Sequence, residues 1–200
     1  MKHPIRHAKV HRKTSETEIS VRWHIDGNGT SQIATGIPFM DHMLTLLAKH
    51  GLFTLTVRAK GDLEVDIHHT NEDAGITLGQ ALARALGNKA GIRRYGFASL
   101  PMDEVLVRVS LDISGRPHFH ILRSKGVRFS RLENYSFHDM TEFLHAFCQH
   151  AGITMHVEIL SGKDSHHIIE GVFKALAKAL DQATQIDSRV RGVPSTKGRI

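Results

Sequence analysis

Thr17–Gly29, "TEISVRWHIDGNG", sets Ile19, Val21, Trp23 and Ile25 at every second position and then breaks at Asp26-Gly27. Period-two alternation ending in a turn pair predicts a strand with one buried face. Glu104–Gly115, "EVLVRVSLDISG", does the same with Val105, Val107, Val109 and Leu111, turning near Asp112. Val21-Arg22 matches Val107-Arg108 at a separation of 86 residues. Asp41–Ala59, "DHMLTLLAKHGLFTLTVRA", reads as a helix, a stop at Gly51 and a strand alternating Phe53, Leu55 and Val57. Glycine suits the left-handed position just past a helix end. Thr141–Ile159 repeats the pattern with Gly152 as the stop, then Ile153, Met155 and Val157; His50 and His150 set the separation at 100.

Two amphipathic helices complete the copies. Ile76, Leu78, Ala81, Leu82 and Ala85 make one apolar stripe, and Ile169, Val172, Phe173, Leu176 and Leu180 the other. Each half reads strand–strand–helix–strand–helix, with an extra short strand expected at Leu63–Asp66. The expected fold is α+β, an internally duplicated two-layer domain in which each half is a mostly antiparallel sheet with two helices on one face. The boundary falls near Gly87–Arg94, with repeats over about 12–90 and 94–188 and a basic tail, 189–200. Neither copy is large enough to be comfortable alone, so the halves should share one core and residues 1–200 form a single domain. Arg123–Ser136 reads as a loop without a counterpart in the first half.

Both long helices open on the same words. "DIHHTNEDAG" begins at Asp66 and "DSHHIIEGVF" at Asp164, each holding His-His-x-x-Glu, 98 residues apart. A helix turns about 100° per residue, so residues i and i+4 share a face and i and i+1 do not. His68 and Glu72 can grip one ion while His69 points elsewhere; His166, Glu170 and His167 divide in the same way. Two copies then close two sites: His68, Glu72 and His167 in one, His166, Glu170 and His69 in the other. His42 and Glu142, 100 residues apart, offer each a fourth ligand. Imidazole with carboxylate suits Mn²⁺, Fe²⁺, Co²⁺ or Zn²⁺. A protease pattern would place the glutamate between the histidines, and here it does not.

Composition sharpens this only in places. Sixteen histidines among 200 residues call for a chemical reason. A net charge of +6 permits an anionic partner. Aromatics at 6%, with no RNP, KH or zinc-finger pattern, argue against a nucleic-acid-binding module. The single Cys148 excludes an intrachain disulfide. No apolar run approaches the roughly 20 residues needed to span a bilayer, and "MKHPIRHAKVHRKTSE" has no secretory h-region. A cytoplasmic location without nucleic-acid or membrane partners is expected.

"PFMDHML", "DIHHTNEDAGITLGQAL", "RYGFASLPMDE", "DISGRP", "SHHIIEGVFKALAKAL" and "PSTKG" occur in that order. Together they resemble imidazoleglycerol-phosphate dehydratase, over nearly the whole chain and without the phosphatase domain fused to some relatives. The resemblance implies a duplicated fold like domain 2 of ribosomal protein S5 and a 24-subunit shell with active sites where subunits meet. It implies two Mn²⁺ per active site, other divalent transition ions being possible, and the dehydration of imidazole glycerol phosphate to imidazole acetol phosphate in histidine biosynthesis. By motif, His42, His68, His69, Glu72, His166, His167 and Glu170 are the implied metal ligands. Relatives can carry histidine where this chain has Glu142, which leaves Glu142 or His145 to complete the first site. Arg94, Arg116, Lys174, Ser195 and Lys197 fall at family positions around the substrate, largely its phosphate, which favours guanidinium forks and ammonium charges. Glu16 falls at the family position of a substrate-contacting carboxylate and is assigned proton transfer.

The chemistry gives a reason for paired metals. No carbonyl acidifies the hydrogen to be removed, so an enolate route is closed. The imidazole ring can hold the electrons as imidazolate if a Lewis acid lies on each nitrogen. The imidazolate can expel hydroxide to leave a diazafulvene, and loss of the next carbon's proton gives the enol of the product.

Overall fold

The computed structural model describes residues 6–130 and 132–200. The first five residues of the basic N-terminal stretch, and residue 131 of the expected loop, lie outside the described residues. β1 (His7–Lys13), β2 (Thr17–His24), β3 (Ser31–Ala34), α1 (Pro38–Gly51), β4 (Thr54–Gly61) and α2 (His68–Leu86) make the first half. β5 (Tyr95–Met102), β6 (Val105–Asp112), β7 (His118–Arg123), α3 (Phe137–Ala151), β8 (Thr154–Ser161) and α4 (Ser165–Thr184) make the second. The sheets have the orders β1-β2-β4-β3 and β5-β6-β8-β7, antiparallel except for the parallel pairs β3–β4 and β7–β8. Alternation decides what faces inward: Ile19, Val21, Trp23, Leu55 and Val57 from one sheet, Val107, Val109, Met155 and Val157 from the other, all at most 1% exposed.

Each half has one more strand before its first helix than the pattern predicts. Residues 63–66 are not the extra strand. Val65 N–H donates to Asp62 O at 2.9 Å, closing a turn that carries the chain from β4 to α2. The missed strand is β3, whose four residues "SQIA" hold too little alternation to announce it. The separation of 86 is also two residues short. Val21 lies opposite Val57 and Val109 opposite Val157, and the latter partners are 100 residues apart, so β2 maps onto β6 at 88. An error of two leaves every side chain on its correct face, which is why alternation could not expose it.

The helices pack across the duplication. α2 lies on β1 and β2 and against α3, while α4 lies on β5 and β6 and against α1. Buried apolar residues of both halves join one core. Gly75 and Gly79 let α2 approach α3 closely: a Cβ on either would lie 2.6 Å from the backbone oxygen of Phe143 or Phe147. Gly152 takes the left-handed position after α3 (φ 68°), as expected. After α1 that position belongs to Leu52 (φ 58°), and Gly51 is the last helical residue. Gly51 is needed for close packing instead, because a Cβ there would meet the Phe53 ring at 2.3 Å. Among the described residues no helix is long and apolar enough to cross a membrane.

Candidate metal centre and substrate site

Both doubled motifs sit at helix starts prepared by an aspartate. Asp164 caps α4 by accepting from His166 N–H at 2.7 Å and His167 N–H at 3.3 Å, and Asp66 accepts from His68 N–H at 2.7 Å. These bonds satisfy orphan donors of the first turn and fix where the histidines leave the backbone.

At the start of α4, His166 and Glu170 face α1. Glu170 Oε2 lies 3.3 Å from His166 Nε2 and 3.5 Å from His42 Nε2. The potential donor atoms of these three residues all lie within 4.8 Å of one another, the one such group among the described residues. Glu170 is buried and His42 is exposed, so the cluster has a buried floor and an open mouth. Phe39 stands edge-on to His166, ring centroids 5.0 Å apart, and steadies its ring. Burial by itself would raise the Glu170 carboxyl; the Lys174 ammonium, 2.6 Å from Oε1, and His42 outweigh it and hold the group below the usual carboxylate range. Two imidazoles and an ionised carboxylate are a donor set that fits a divalent transition ion.

The repeat mates are looser. His68 Nε2 and Glu72 Oε2 are 3.9 Å apart on α2. Glu142, the mate of His42, is partly exposed on α3 with Oε1 3.9 Å from His138 Nδ1. His145 is exposed beside Gln149 and is the mate of Thr45, on the outside of α1. The second histidine of each motif points away from its own cluster, as helix geometry requires. His69 Nδ1 lies 3.0 Å from Asp62 and 3.9 Å from Glu16; His167 Nδ1 lies 3.0 Å from Glu104. Hydrogen bonds to these carboxylates raise both imidazoles, Asp62 acting on His69 and Glu104 on His167. Glu104 is lowered in turn to about 2, chiefly by His167. A carboxylate on Nδ1 orients the ring and turns Nε2 outward, a common second-layer arrangement behind a metal-binding histidine, although His167 Nε2 also lies 3.8 Å from Asp103.

Sequence patterns alone did not single out Asp62 or Glu104. Glu104 was within reach, because at the separation of 88 it is the repeat mate of Glu16, and both sit between the first two strands of their halves. Asp62 has no comparable signal, since it lies between the end of β4 and the stretch Leu63–Asp66 that was read as a strand.

The expected phosphate ligands divide into two places. Lys174 belongs to the Glu170 cluster, its ammonium also 3.3 Å from Met102 Sδ. Arg94 is at the opposite end of α4, its N–H donating to Ala183 O at 2.9 Å. It holds a left-handed backbone (φ 74°) and forks onto Asp112 at 2.7 and 2.9 Å, with a third bond to Pro194 O at 2.8 Å. The tail thus passes Arg94 at Pro194 and ends against Gly115, whose added Cβ would lie 2.8 Å from the Ile200 carbonyl carbon. Ser195 and Lys197 lie in this strap, Lys197 N–H donating to Ser195 Oγ at 3.2 Å, and exposed Arg116 follows Gly115.

Residues 35–180 match the family model described as imidazoleglycerol-phosphate dehydratase. A relative of that name from Thermoanaerobacter pseudethanolicus is 57% identical over 194 residues, covering 97% of this chain and 99% of the relative. Another from Methylorubrum extorquens is 52% identical over 197 residues, covering 98% of this chain and all of the relative. The imidazoleglycerol-phosphate dehydratase structure from Staphylococcus aureus superposes with a TM-score of 0.80 at 34% identity, covering 90% of this chain and 99% of that one. The structure from Pyrococcus furiosus, in complex with (S)-C348, gives 0.80 at 36% identity, covering 96% of this chain and 100% of that one. Fold, doubled motif and these matches together define a hydro-lyase, an enzyme that eliminates water. The chain belongs to the imidazoleglycerol-phosphate dehydratase family.

Proposed function

We propose that this chain dehydrates imidazole glycerol phosphate to imidazole acetol phosphate in histidine biosynthesis, using two divalent ions, Mn²⁺ first among them. The observation that carries this is the His42–His166–Glu170 cluster, assembled across the two repeats in a chain of this family. Those residues and His69 would hold one ion; His68, Glu72, Glu142 and His167 would hold the other. Glu142 is favoured over His145 because it is the repeat mate of His42. The bound ions supply Lewis acidity that holds the substrate's imidazole as imidazolate. The route through a diazafulvene asks two things of the chain itself: a proton for the leaving hydroxyl and an acceptor for the proton on the next carbon. Glu16 is assigned this work. It is exposed and 3.9 Å from His69, close enough to reach a substrate bound there.

Distance supports sites shared between copies. From Glu170 to Ala183, where Arg94 is fastened, α4 advances 13 residues, roughly 20 Å at 1.5 Å per residue. A small phosphorylated substrate cannot touch both ends. On this reading the strap set of Arg94, Arg116, Ser195 and Lys197 would serve a metal cluster on another copy, and Lys174 the near side of its own. His69 stands with Asp62 and Glu16, outside the His42–His166–Glu170 group, and a neighbouring copy would bring it to a His166–Glu170 pair. Self-association into the 24-subunit shell implied by the family resemblance would provide those neighbours. The proposed activity is tested by expression in a histidine auxotroph that lacks the dehydratase. Growth without histidine is expected for the wild type and not for Glu170→Ala; failure of the well-expressed wild type would overturn it.

A further inference from the structure

The doubled motifs and His42 use only part of the chain's histidine. Three others meet on the outer face of the second sheet. His118 and His120 lie two apart on the edge strand β7, so they share a face. His156 on β8 lies opposite His120 in the parallel register. The ring centroids are 5.4 Å apart for His120–His156, 5.8 Å for His118–His156 and 6.4 Å for His118–His120. All three side chains are exposed, and none has a hydrogen bond or ion pair among the described residues.

Duplication does not account for this triad. At the separations of 88 for β3 and β7 and 100 for β4 and β8, the mates of His118, His120 and His156 are Thr30, Gln32 and Thr56. The first sheet builds the same strands with no imidazole there, so the fold does not require histidine at these positions. Three imidazoles, two from one strand and one from its neighbour, crowd one exposed patch, their nitrogens more widely spread than the donor atoms of the His42–His166–Glu170 group. Nitrogens about 2.0–2.1 Å from one ion would place ring centroids about 5 Å apart, so closure asks the three side chains to rotate toward one another, His118 and His120 most. A hollow of about 400 Å³ opens beside His156, lined in part by Tyr95, Phe97, Ser110 and Asp112, with room for a further ligand.

We propose that His118, His120 and His156 form a separate, all-imidazole binding site for a borderline divalent ion such as Ni²⁺ or Zn²⁺. Mn²⁺ suits it poorly, because carboxylate and water are the ligands that ion favours and it stands lowest in the affinity order for such ligands. The site shares none of its three ligands with the dehydratase centre.

The test uses the assembled, Mn²⁺-loaded protein, dialysed to equilibrium against Ni²⁺, with wild type compared with His118→Gln/His120→Asn and, separately, with His156→Asn. The wild type should hold about one Ni²⁺ per chain more than the double variant, with dehydratase activity alike in both. His156→Asn should weaken that ion by at least the roughly 10- to 100-fold that loss of an outer-layer partner costs. Equal Ni²⁺ uptake by wild type and double variant, with activity showing both to be folded, would overturn the proposal.

Discussion

His42 Nε2, on the first repeat's α1, stands 3.5 Å from Glu170 Oε2 on the second repeat's α4. The contact joins residues 128 apart in the chain, and it exists because the halves exchange helix partners. His42→Ala and His166→Ala should therefore weaken Mn²⁺ binding to a similar degree. Each removes one imidazole, and the loss should be at least the roughly 10- to 100-fold expected for outer-layer partners. Glu104→Gln keeps shape but removes the charge behind His167, and should fall within that range. Titration of Mn²⁺ into metal-free protein checks all three. A silent His42→Ala beside a damaging His166→Ala would show that the cross-repeat cluster is not the binding unit.

Arg94 has structural work as well as its proposed phosphate contact. It ties Asp112 and the tail together and fills a left-handed backbone site. Hydrogen bonds to charged groups contribute about 1.5–3 kcal/mol. Arg94→Ala should lower stability by about 2–3 kcal/mol, an apparent Tm loss of about 4–12 °C in a domain of this size. Arg94→Lys should recover little, because an ammonium cannot fork onto Asp112. Thermal unfolding separates the roles: an unchanged Tm with weaker inhibition by a phosphate-bearing analogue would leave phosphate binding alone.

Gly75→Ala should destabilise although alanine favours helix by about 0.8–1.0 kcal/mol. The new methyl would lie 2.6 Å from the Phe143 backbone oxygen, which cannot swing aside as a side chain could. Overpacking costs typically about 1–3 kcal/mol, so the clash wins. Denaturant unfolding checks it, and a more stable Gly75→Ala protein would mean that α2 and α3 are less tightly apposed.

Removing the metal should shrink the assembly. An ion whose ligands come from two copies contributes its binding free energy to association. Analytical ultracentrifugation of chelated protein should show a smaller species that Mn²⁺ restores to the large particle. Identical large particles with metal verified absent would show that metal does not drive assembly.

The duplication was legible because period-two and helical patterns survive in both copies, and the doubled His-His-x-x-Glu marked the start of each long helix. β3 was illegible because its four residues alternate in burial but put only Ser31 and Ile33 on the inner face, too little apolar pattern to read. The stop after α1 was misplaced by one residue because Gly51 is needed for contact with Phe53, leaving exposed Leu52 to take the left-handed turn. At the site, His166 with Glu170 followed from helix geometry alone. The closeness of His42 needed the helix exchange, and the Glu104–His167 bond needed the corrected register. Arg94's bond to Pro194 joins residues 100 apart, beyond any local pattern.

Metal-dependent dehydration itself is tested by incubating purified, metal-stripped protein with imidazole glycerol phosphate, with and without Mn²⁺, and measuring imidazole acetol phosphate. Product should form with Mn²⁺, vanish on chelation, and fall steeply in the His166→Ala and Glu170→Ala proteins at equal Mn²⁺. Turnover that persists in verified metal-free protein, or none from the folded, Mn²⁺-loaded wild type, would contradict the proposed chemistry.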